Sequence, residues 1–341
     1  MEGRFSNVRI CAMASAVPTY IEPNSAYLEV LGERRLKRQT RMTGVEQRRI
    51  NDKHQTTADL CLAAANKVLE KTGWGKEEIQ VLVLVTQSPS VYIPSTSFIL
   101  HKQLGLSKDC MVYDVNLGCS GFVAGLQIVA SMLQTSGLGA KGILLAGDIQ
   151  RGTRDGVEVE DLSPDERADQ MLFGSAGTAT AIELVADSTM CFMEKSDGNG
   201  YEAIIQRYHE TCVMDGEKVF NFGVNDVIQY LKEFEDKFQI GDSDIDYYVF
   251  HQAQKFMLQN MANLLEIPME KVPMSLKNFG NTSSASIPLT ICAGIEEMQK
   301  IEKQRLLLCG FGIGLACGVV YLELDTDAIL PVIETDEIHE F

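Results

Sequence analysis

The sequence is poor in positive charge, and this restricts the partners that it can have. Its 341 residues include 30 lysines and arginines against 47 aspartates and glutamates, which gives a net charge of −17. This balance argues against nucleic acid as a partner. No apolar run reaches the length of a membrane span, and the N-terminus lacks the charged-then-apolar pattern of a signal peptide. We therefore expect a cytoplasmic protein.

Residue patterns that hold metals or disulfides are also absent. The five histidines are scattered, and the nine cysteines are odd in number and include no Cys-x-x-Cys pair. These patterns do not fit a zinc site or a disulfide framework. We therefore expect no metal in this protein.

Helical and strand patterns alternate along the chain, which predicts an α/β architecture. The helical run "TTADLCLAAANKVLEKTG" precedes the buried-strand run of "WGKEEIQVLVLVTQS", and "VNDVIQYLKEFEDKF" precedes "QIGDSDIDYYVFHQA" in the same order. Such an internal repeat indicates two similar halves related by a pseudo-dyad. We place them at residues 1–186 and 187–325, and we expect residues 326–341 to form an acidic appendage on the surface.

The repeat aligns Cys119 of "DVNLGCSG" with Asn281 of "NFGNTS", and His251 follows the second buried strand. Equivalent loops of the two halves approach each other, so these three residues are candidates for one site. Each also has an ordinary interpretation, as a small buried cysteine, a satisfied core histidine or a turn asparagine. Their convergence under the repeat favours the site.

These residue types suit nucleophilic acyl chemistry. We expect a helix to begin at about Cys119, and its N-terminus would lower the thiol pKa. His251 is the usual type of partner for such a thiol, whereas Asn281 can only exchange hydrogen bonds. The glycine-rich run "CGFGIGLACG", residues 309–318, has two open interpretations: backbone donors for an oxyanion, or tight strand packing.

One basic cluster, Arg34 to Arg41 in "RRLKRQTR", stands out against the acidic background. It is either a solvated helix face or a docking patch for an anionic ligand, such as a CoA phosphate or an acidic carrier protein. The sequence leaves both interpretations open.

The motifs "DVNLGCSGF", "VFHQAQ" and "NFGNTSSASIP" together resemble the ketoacyl-ACP synthase III family of the thiolase superfamily, from about residue 8 to residue 324. The resemblance implies a five-layer αβαβα thiolase fold and a homodimer. It implies thioester substrates without a cofactor: an acyl-CoA or acyl-ACP donor and malonyl-ACP as acceptor. Cys119 would carry the acyl group, while His251 and Asn281 would hold the malonyl carbonyl as CO2 leaves. The N–H groups of Cys119 and Ile313 would form the oxyanion hole.

Several positions depart from the family pattern, and they concern the substrate more than the chemistry. Arg38 stands where acetyl-CoA-using members carry a tryptophan that stacks on adenine, while Arg167 matches the other adenine-facing residue. Ile93 stands at the gate of the acyl pocket, where many members have an aromatic residue. The resemblance therefore implies a specialised member.

The expected carrier-docking positions are also altered. Asn221 replaces the lysine that follows Phe220, and Phe256 replaces an arginine, although Lys255 is adjacent. Three hypotheses follow: a decarboxylative condensing enzyme, an acyltransferase that uses a hydroxyl or amine acceptor, and a non-catalytic partner subunit. The complete set of cysteine, histidine and asparagine favours the first.

Overall fold

The computed structural model describes residues 1–150, 171–207, 210, 212–298 and 301–340. The strands are β1 (Glu2–Phe5), β2 (Val8–Val17), β3 (Ile21–Pro23), β4 (Gln47–Arg49), β5 (Ile79–Val85), β6 (Met111–Val115), β7 (Lys141–Asp148), β8 (Ala176–Leu184), β9 (Met190–Ser196), β10 (Ile204–Ile205), β11 (Val213–Met214), β12 (Tyr247–Phe250), β13 (Lys303–Gly312), β14 (Ala316–Asp325) and β15 (Ile333–Glu334). The α-helices are α1 (Leu28–Leu31), α2 (Glu33–Thr43), α3 (Thr57–Thr72), α4 (Thr96–Leu104), α5 (Gly121–Leu133), α6 (Gly216–Asn221), α7 (Val227–Phe238), α8 (Lys255–Leu264), α9 (Leu276–Phe279), α10 (Ser286–Ala293) and α11 (Ile295–Met298).

Two large sheets organise the molecule, and they share a four-strand arrangement. The first has the order β15-β2-β8-β7-β5-β6, and the second has the order β1-β9-β14-β13-β12. In each sheet the two central strands are antiparallel, β7 with β8 and β13 with β14, and a parallel neighbour follows, β5 or β12. The internal repeat predicted from the sequence is confirmed by this common order and direction.

The helices form three layers around the two sheets. Helices α5 and α10 lie between the sheets in the central core, α3 and α4 cover the outer face of the first sheet, and α7 and α8 cover the outer face of the second. Strands covered on both faces have nearly continuous apolar sequences, as in Ile79–Val85. The five layers position the C-terminal ends of β7 and β12 near the start of α5 and the loop before α10.

Local sequence signals explain where the helices begin and end. Helix α3 begins after Thr56, whose side chain forms a capping box with Asp59, and it ends at Gly73 with φ of +66°. Only a residue without Cβ adopts this left-handed conformation cheaply. None of the helices in the described ranges is both long and apolar enough to cross a lipid bilayer.

Each end of the chain adds a strand to the sheet of the other half, so the predicted domain boundaries need correction. Strand β1 pairs with β9 in the second sheet, although its residues were assigned to the first half. The segment 326–341 is not a surface appendage, because β15 pairs in parallel with β2. Its Leu330 N–H donates to the Met13 carbonyl at 2.9 Å, and Ile329 is buried. The prediction was wrong because the acidic residues of the segment alternate with apolar ones that complete the first core.

Candidate active site

Cys119 lies in the loop between β6 and α5, and β13 of the second half packs closely against this loop. A Cβ added to Gly312 would lie 2.9 Å from the Cys119 Cβ and 3.2 Å from its Sγ. A Cβ added to Gly310 would lie 3.0 Å from the Cys119 carbonyl oxygen. The glycine-rich run therefore provides tight packing of β13 against the loop of Cys119.

The Cys119 thiol is protonated at neutral pH, contrary to the sequence prediction. Burial raises its pKa to about 12, and the nearby Asp148 carboxylate acts in the same direction. The prediction of a lowered pKa was wrong for two reasons. Helix α5 begins at Gly121 rather than at the cysteine, and removal of water from the sulfur outweighs the helix dipole.

Two backbone donors nevertheless point at the Cys119 sulfur. The N–H groups of Ile313 and of Cys119 itself hydrogen-bond to it and act against the rise in its pKa. Ile313 belongs to the glycine-rich run, so this run supplies a donor as well as close packing. Negative charge at this position, on sulfur or on a neighbouring oxygen, has two fixed hydrogen-bond donors.

His251 directly follows β12 and is almost completely buried. Its Nδ1 lies 2.7 Å from the Ser286 hydroxyl, and its ring meets the Phe311 ring edge-on with centroids 5.8 Å apart. Burial lowers the pKa of this histidine to about 3, although a hydrogen bond with the Ser283 backbone opposes the change. The imidazole is therefore neutral across the physiological range.

Asn281 is held by its backbone and by its amide oxygen. Its N–H donates to the Leu172 carbonyl at 2.8 Å, and its carbonyl accepts from the Gly174 N–H at 3.0 Å. Its Oδ1 accepts from the Ser283 N–H at 2.8 Å. Because the oxygen is engaged, the Nδ2 amide hydrogens are available to donate, and no partner for them occurs among the described residues.

The contacts of these residues form one continuous group. Cys119 touches Gly312, whose neighbour Phe311 packs on His251, and Ser283 contacts both His251 and Asn281. The structure therefore brings the three sequence candidates together, from both halves of the repeat.

Asp148 is a polar residue of this region that the sequence reasoning missed. Its buried carboxylate receives hydrogen bonds from Gln87 and Ser88, which follow β5, and from Ser284, which follows the loop of Asn281. The available signal was its position at the C-terminal end of the buried strand β7, where α/β folds place functional groups.

The remaining candidates lie farther out. Arg38 is exposed on α2, Ile93 is 89% exposed, and Phe220 stacks on Phe256 with ring centroids 5.7 Å apart. Lys255 packs against Gly44, where an added Cβ would lie 2.7 Å from the lysine Cβ. Within the described part of the chain, none of these four predicted binding residues has a hydrogen bond or ion pair with the group around Cys119. The prediction for Arg167 falls outside the described residues.

Metal-binding geometry is not found in this part of the molecule. Across residues 1–150, 171–207, 210, 212–298 and 301–340, no group of three or more His, Cys, Asp or Glu side chains is arranged to hold a metal ion.

Comparison with known proteins covers nearly the whole chain. Residues 9–187 match the family model of the N-terminal domain of chalcone and stilbene synthases, and residues 236–324 match that of the C-terminal part of 3-oxoacyl-[acyl-carrier-protein] synthase III. The beta-ketoacyl-[acyl-carrier-protein] synthase III of Neisseria meningitidis is 30% identical over 296 residues, which cover 83% of this chain and 89% of that protein. The enzyme of the same name from Clostridium perfringens is 29% identical over 302 residues, with the same coverage.

Comparison of the fold with solved structures agrees with the comparison of sequences. The crystal structure of a 3-oxoacyl-(acyl-carrier protein) synthase from Burkholderia xenovorans has a TM-score of 0.90 and 31% identity, and it covers 98% of this chain and 99% of its own. The predicted thiolase fold is thereby confirmed. On this sequence and structural evidence, the chain belongs to the beta-ketoacyl-[acyl-carrier-protein] synthase III family of the thiolase superfamily, and it is a condensing acyltransferase of that type.

Proposed function

We propose that Cys119 carries the acyl group and that the enzyme joins it to a malonyl thioester with loss of CO2. The observation that carries this proposal is the pair of N–H groups, from Ile313 and Cys119, at the sulfur of the half-buried Cys119, beside a neutral His251 and an oriented Asn281. The donor is an acyl-CoA or acyl-ACP and the acceptor is malonyl-ACP, in line with the names of the relatives.

The loading step begins from the thiol, because the pKa of Cys119 is high. The sulfur attacks the donor carbonyl, and the two N–H groups stabilise the oxyanion of the tetrahedral intermediate. The donor thiolate leaves, and the cysteine proton is transferred to it. The product is acyl-Cys119 and a free thiol. A neutral sulfur at rest is protected from alkylation and oxidation until a substrate is bound.

The condensing step depends on hydrogen bonds from the second half. The Nε2–H of neutral His251 and the Nδ2–H of Asn281 donate to the thioester carbonyl of the malonyl group. Its carboxylate leaves as CO2, and the bonding electron pair forms an enolate that the two donors stabilise. The enolate carbon attacks acyl-Cys119, and the cysteine leaves as a thiolate that takes up a proton. The product is a 3-ketoacyl thioester.

The decisive experiment separates loading from condensation. Intact-mass spectrometry after incubation with acyl-CoA should show acylated wild-type protein and no acylation of Cys119→Ala. Asn281→Ala should still be acylated, but its CO2 release from malonyl-ACP should fall by about 100-fold or more. Acylation without any carbon–carbon bond formation would contradict the proposal. Nearly unchanged activity of Asn281→Ala would instead favour acyl transfer to a hydroxyl or an amine, with His251 as the base.

We also propose that the enzyme is a homodimer joined through β6. This strand is the edge of the first sheet, and it exposes Met111 and Tyr113. Edge strands with exposed apolar side chains are usually covered by another chain. The exposed Ile93 lies at the same edge, because Thr96 and Ser97 donate backbone N–H groups to the Asp114 carboxylate of β6 at 2.6 and 2.8 Å.

In this dimer, Ile93 reaches the acyl pocket of the partner subunit and limits the length of the acyl group. Sedimentation velocity should show a dimer that Tyr113→Arg dissociates, whereas the exposed control Tyr201→Arg should remain dimeric. A monomeric wild-type protein would contradict this arrangement. All nine cysteines are free thiols, which suits the reducing cytoplasm that we propose as its compartment.

A further inference from the structure

Arg48 is a charged residue in the interior of the protein. It lies on β4, directly opposite Glu22 of β3, and its side chain is 2% exposed. Its guanidinium forms an ion pair with Glu22 and donates to the Tyr27 hydroxyl at 3.2 Å, and this hydroxyl donates to Glu22 at 3.0 Å. A buried ion pair adds little net stability, because removing both charges from water opposes their attraction. Stability alone therefore does not account for an arginine at this position.

The Arg48 side chain contacts two backbone segments next to Asn281. Its Nη1 donates to the Phe173 carbonyl at 3.0 Å. A Cβ added to Gly280 would lie 3.0 Å from the Arg48 Cγ and 2.6 Å from the Leu172 carbonyl oxygen. Gly280 therefore fits closely against the arginine stem, with φ of +66°, a conformation that glycine adopts without strain. The arginine thus touches the residue that directly precedes Asn281.

A hydrogen-bonded β-bridge holds the backbone of Asn281 opposite Phe173. The Asn281 N–H donates to the Leu172 carbonyl at 2.8 Å, and the Asn281 carbonyl accepts from the Gly174 N–H at 3.0 Å. Because Arg48 holds the Phe173 carbonyl, it fixes the segment against which Asn281 is placed. The position of the Asn281 amide therefore depends on the arginine from two directions.

Cys119 is positioned by other elements. The Ile313 N–H hydrogen-bonds to its sulfur, and β13 packs against its loop at Gly310 and Gly312. The residue that carries the acyl group and the residue that holds the malonyl carbonyl thus have separate supports. A change at Arg48 is therefore expected to disturb the condensing step and to leave the loading step intact.

We propose that Arg48 is a positioning residue for condensation, which sets the place of the Asn281 amide through Phe173 and Gly280. This inference rests on the proposed condensing function. Arg48 does not touch the substrate, and it acts only through Asn281. Its charge is retained in the interior because the planar guanidinium serves Glu22 and the Phe173 carbonyl at the same time.

The test compares the two steps in a variant that leaves no unpaired charge in the interior, Glu22→Gln with Arg48→Met. The matched control is Asp246→Asn with Arg305→Met, which removes another hydrogen-bonded ion pair. Intact-mass kinetics should show that both variants are acylated by acyl-CoA at the wild-type rate. The kcat for CO2 release from malonyl-ACP should fall by about 10-fold or more in the Arg48 variant and stay unchanged in the control.

A double-mutant cycle distinguishes positioning from a general loss of structure. If Arg48 acts only through Asn281, adding the Glu22→Gln and Arg48→Met changes to Asn281→Ala should cause no further fall in CO2 release. A further fall of about 10-fold on that background would overturn the proposal, as would equal losses in the loading and condensing steps of the Arg48 variant.

Arg48→Lys provides the measurement if the double variant does not fold. It keeps the charge that pairs with Glu22, but one ammonium cannot reproduce the fork that also holds the Phe173 carbonyl. CO2 release should fall by about 3-fold or more while loading is unchanged, and wild-type CO2 release would overturn the proposal. Failure of the proposed function is distinct, because wild-type enzyme would then release no CO2 from malonyl-ACP.

Discussion

Asp148 and Ser284 join the two halves of the molecule close to Cys119. The carboxylate Oδ2 of Asp148 accepts hydrogen bonds from the Ser284 hydroxyl at 2.8 Å and from its N–H at 3.2 Å. The other oxygen accepts from the Gln87 N–H at 2.8 Å and the Ser88 hydroxyl at 3.1 Å. The buried carboxylate at the end of β7 is thus held by hydrogen-bond donors that follow β5 in its own half and by Ser284 of the other half.

Replacement of Asp148 by asparagine should lower both stability and the pKa of the cysteine. The amide turns one acceptor into a donor that faces other donors, so we expect a loss of about 2–4 kcal/mol in the free energy of unfolding. Removal of the negative charge should also lower the pKa of Cys119. Urea denaturation measures the first effect, and the pH profile of alkylation by iodoacetamide measures the second. Unchanged alkylation would show that the carboxylate does not act on the sulfur.

Gly312→Ala should inactivate the enzyme, because the new Cβ would meet Cys119 and the backbone has φ of +146°. We expect acylation of Cys119 to slow by about 100-fold or more, since small displacements of a nucleophile are costly. Gly139→Ala is the matched control, with φ of +84° and no neighbour within 4 Å. If both variants acylate normally, the close approach of β13 is not needed for catalysis. Intact-mass kinetics of acylation make the comparison.

Protonation of His251 should not affect the rate of the reaction between pH 5 and pH 7. Its pKa is lowered to about 3, so the ring stays neutral, and the rate of malonyl decarboxylation should be flat between pH 5 and pH 7. His251→Gln keeps an N–H donor and should retain more activity than His251→Ala. An acid limb near pH 6 that is present in wild type and absent from His251→Gln would show that the ring is charged in the reaction. CO2 release provides the assay.

Glu194 should make the protein less stable as the pH rises. Burial raises its pKa to about 8, although the N-terminal ammonium acts against this, and its Oε1 is buried without a partner. Between pH 4.5 and 8 the unfolded chain loses this proton while the folded protein keeps it, so the free energy of unfolding falls. Glu194→Gln should remove that slope and raise stability at pH 8 by about 2–4 kcal/mol. The exposed Glu70→Gln should leave the slope unchanged in urea titrations at several pH values.

The repeat explains why much of the fold and the central site could be predicted from the sequence. Cys119, Asn281 and His251 follow strands or precede helices whose patterns are local, so their positions follow from chain order alone. The Cys119 pKa could not be predicted in this way, because the burial that raises it comes from Gly310 and Gly312, nearly 200 residues away in sequence.

Other features also depended on distant contacts. Asp148 was not singled out from the sequence, because the hydrogen bonds that mark it come in part from Ser284, 136 residues away along the chain. The acidic composition of the segment after residue 325 led to the prediction of a surface appendage. Its pairing with β2 is made by backbone groups, which the amino-acid composition does not reveal.

The exchange of the chain ends has a consequence for fragments of the protein. Strand β1 completes the edge of the second sheet, where it pairs with β9. Strand β15 completes the edge of the first sheet, where it pairs with β2. A chain cut at the boundary near residue 186 therefore yields two fragments that each lack an edge strand, and neither fragment can close its own core without the other.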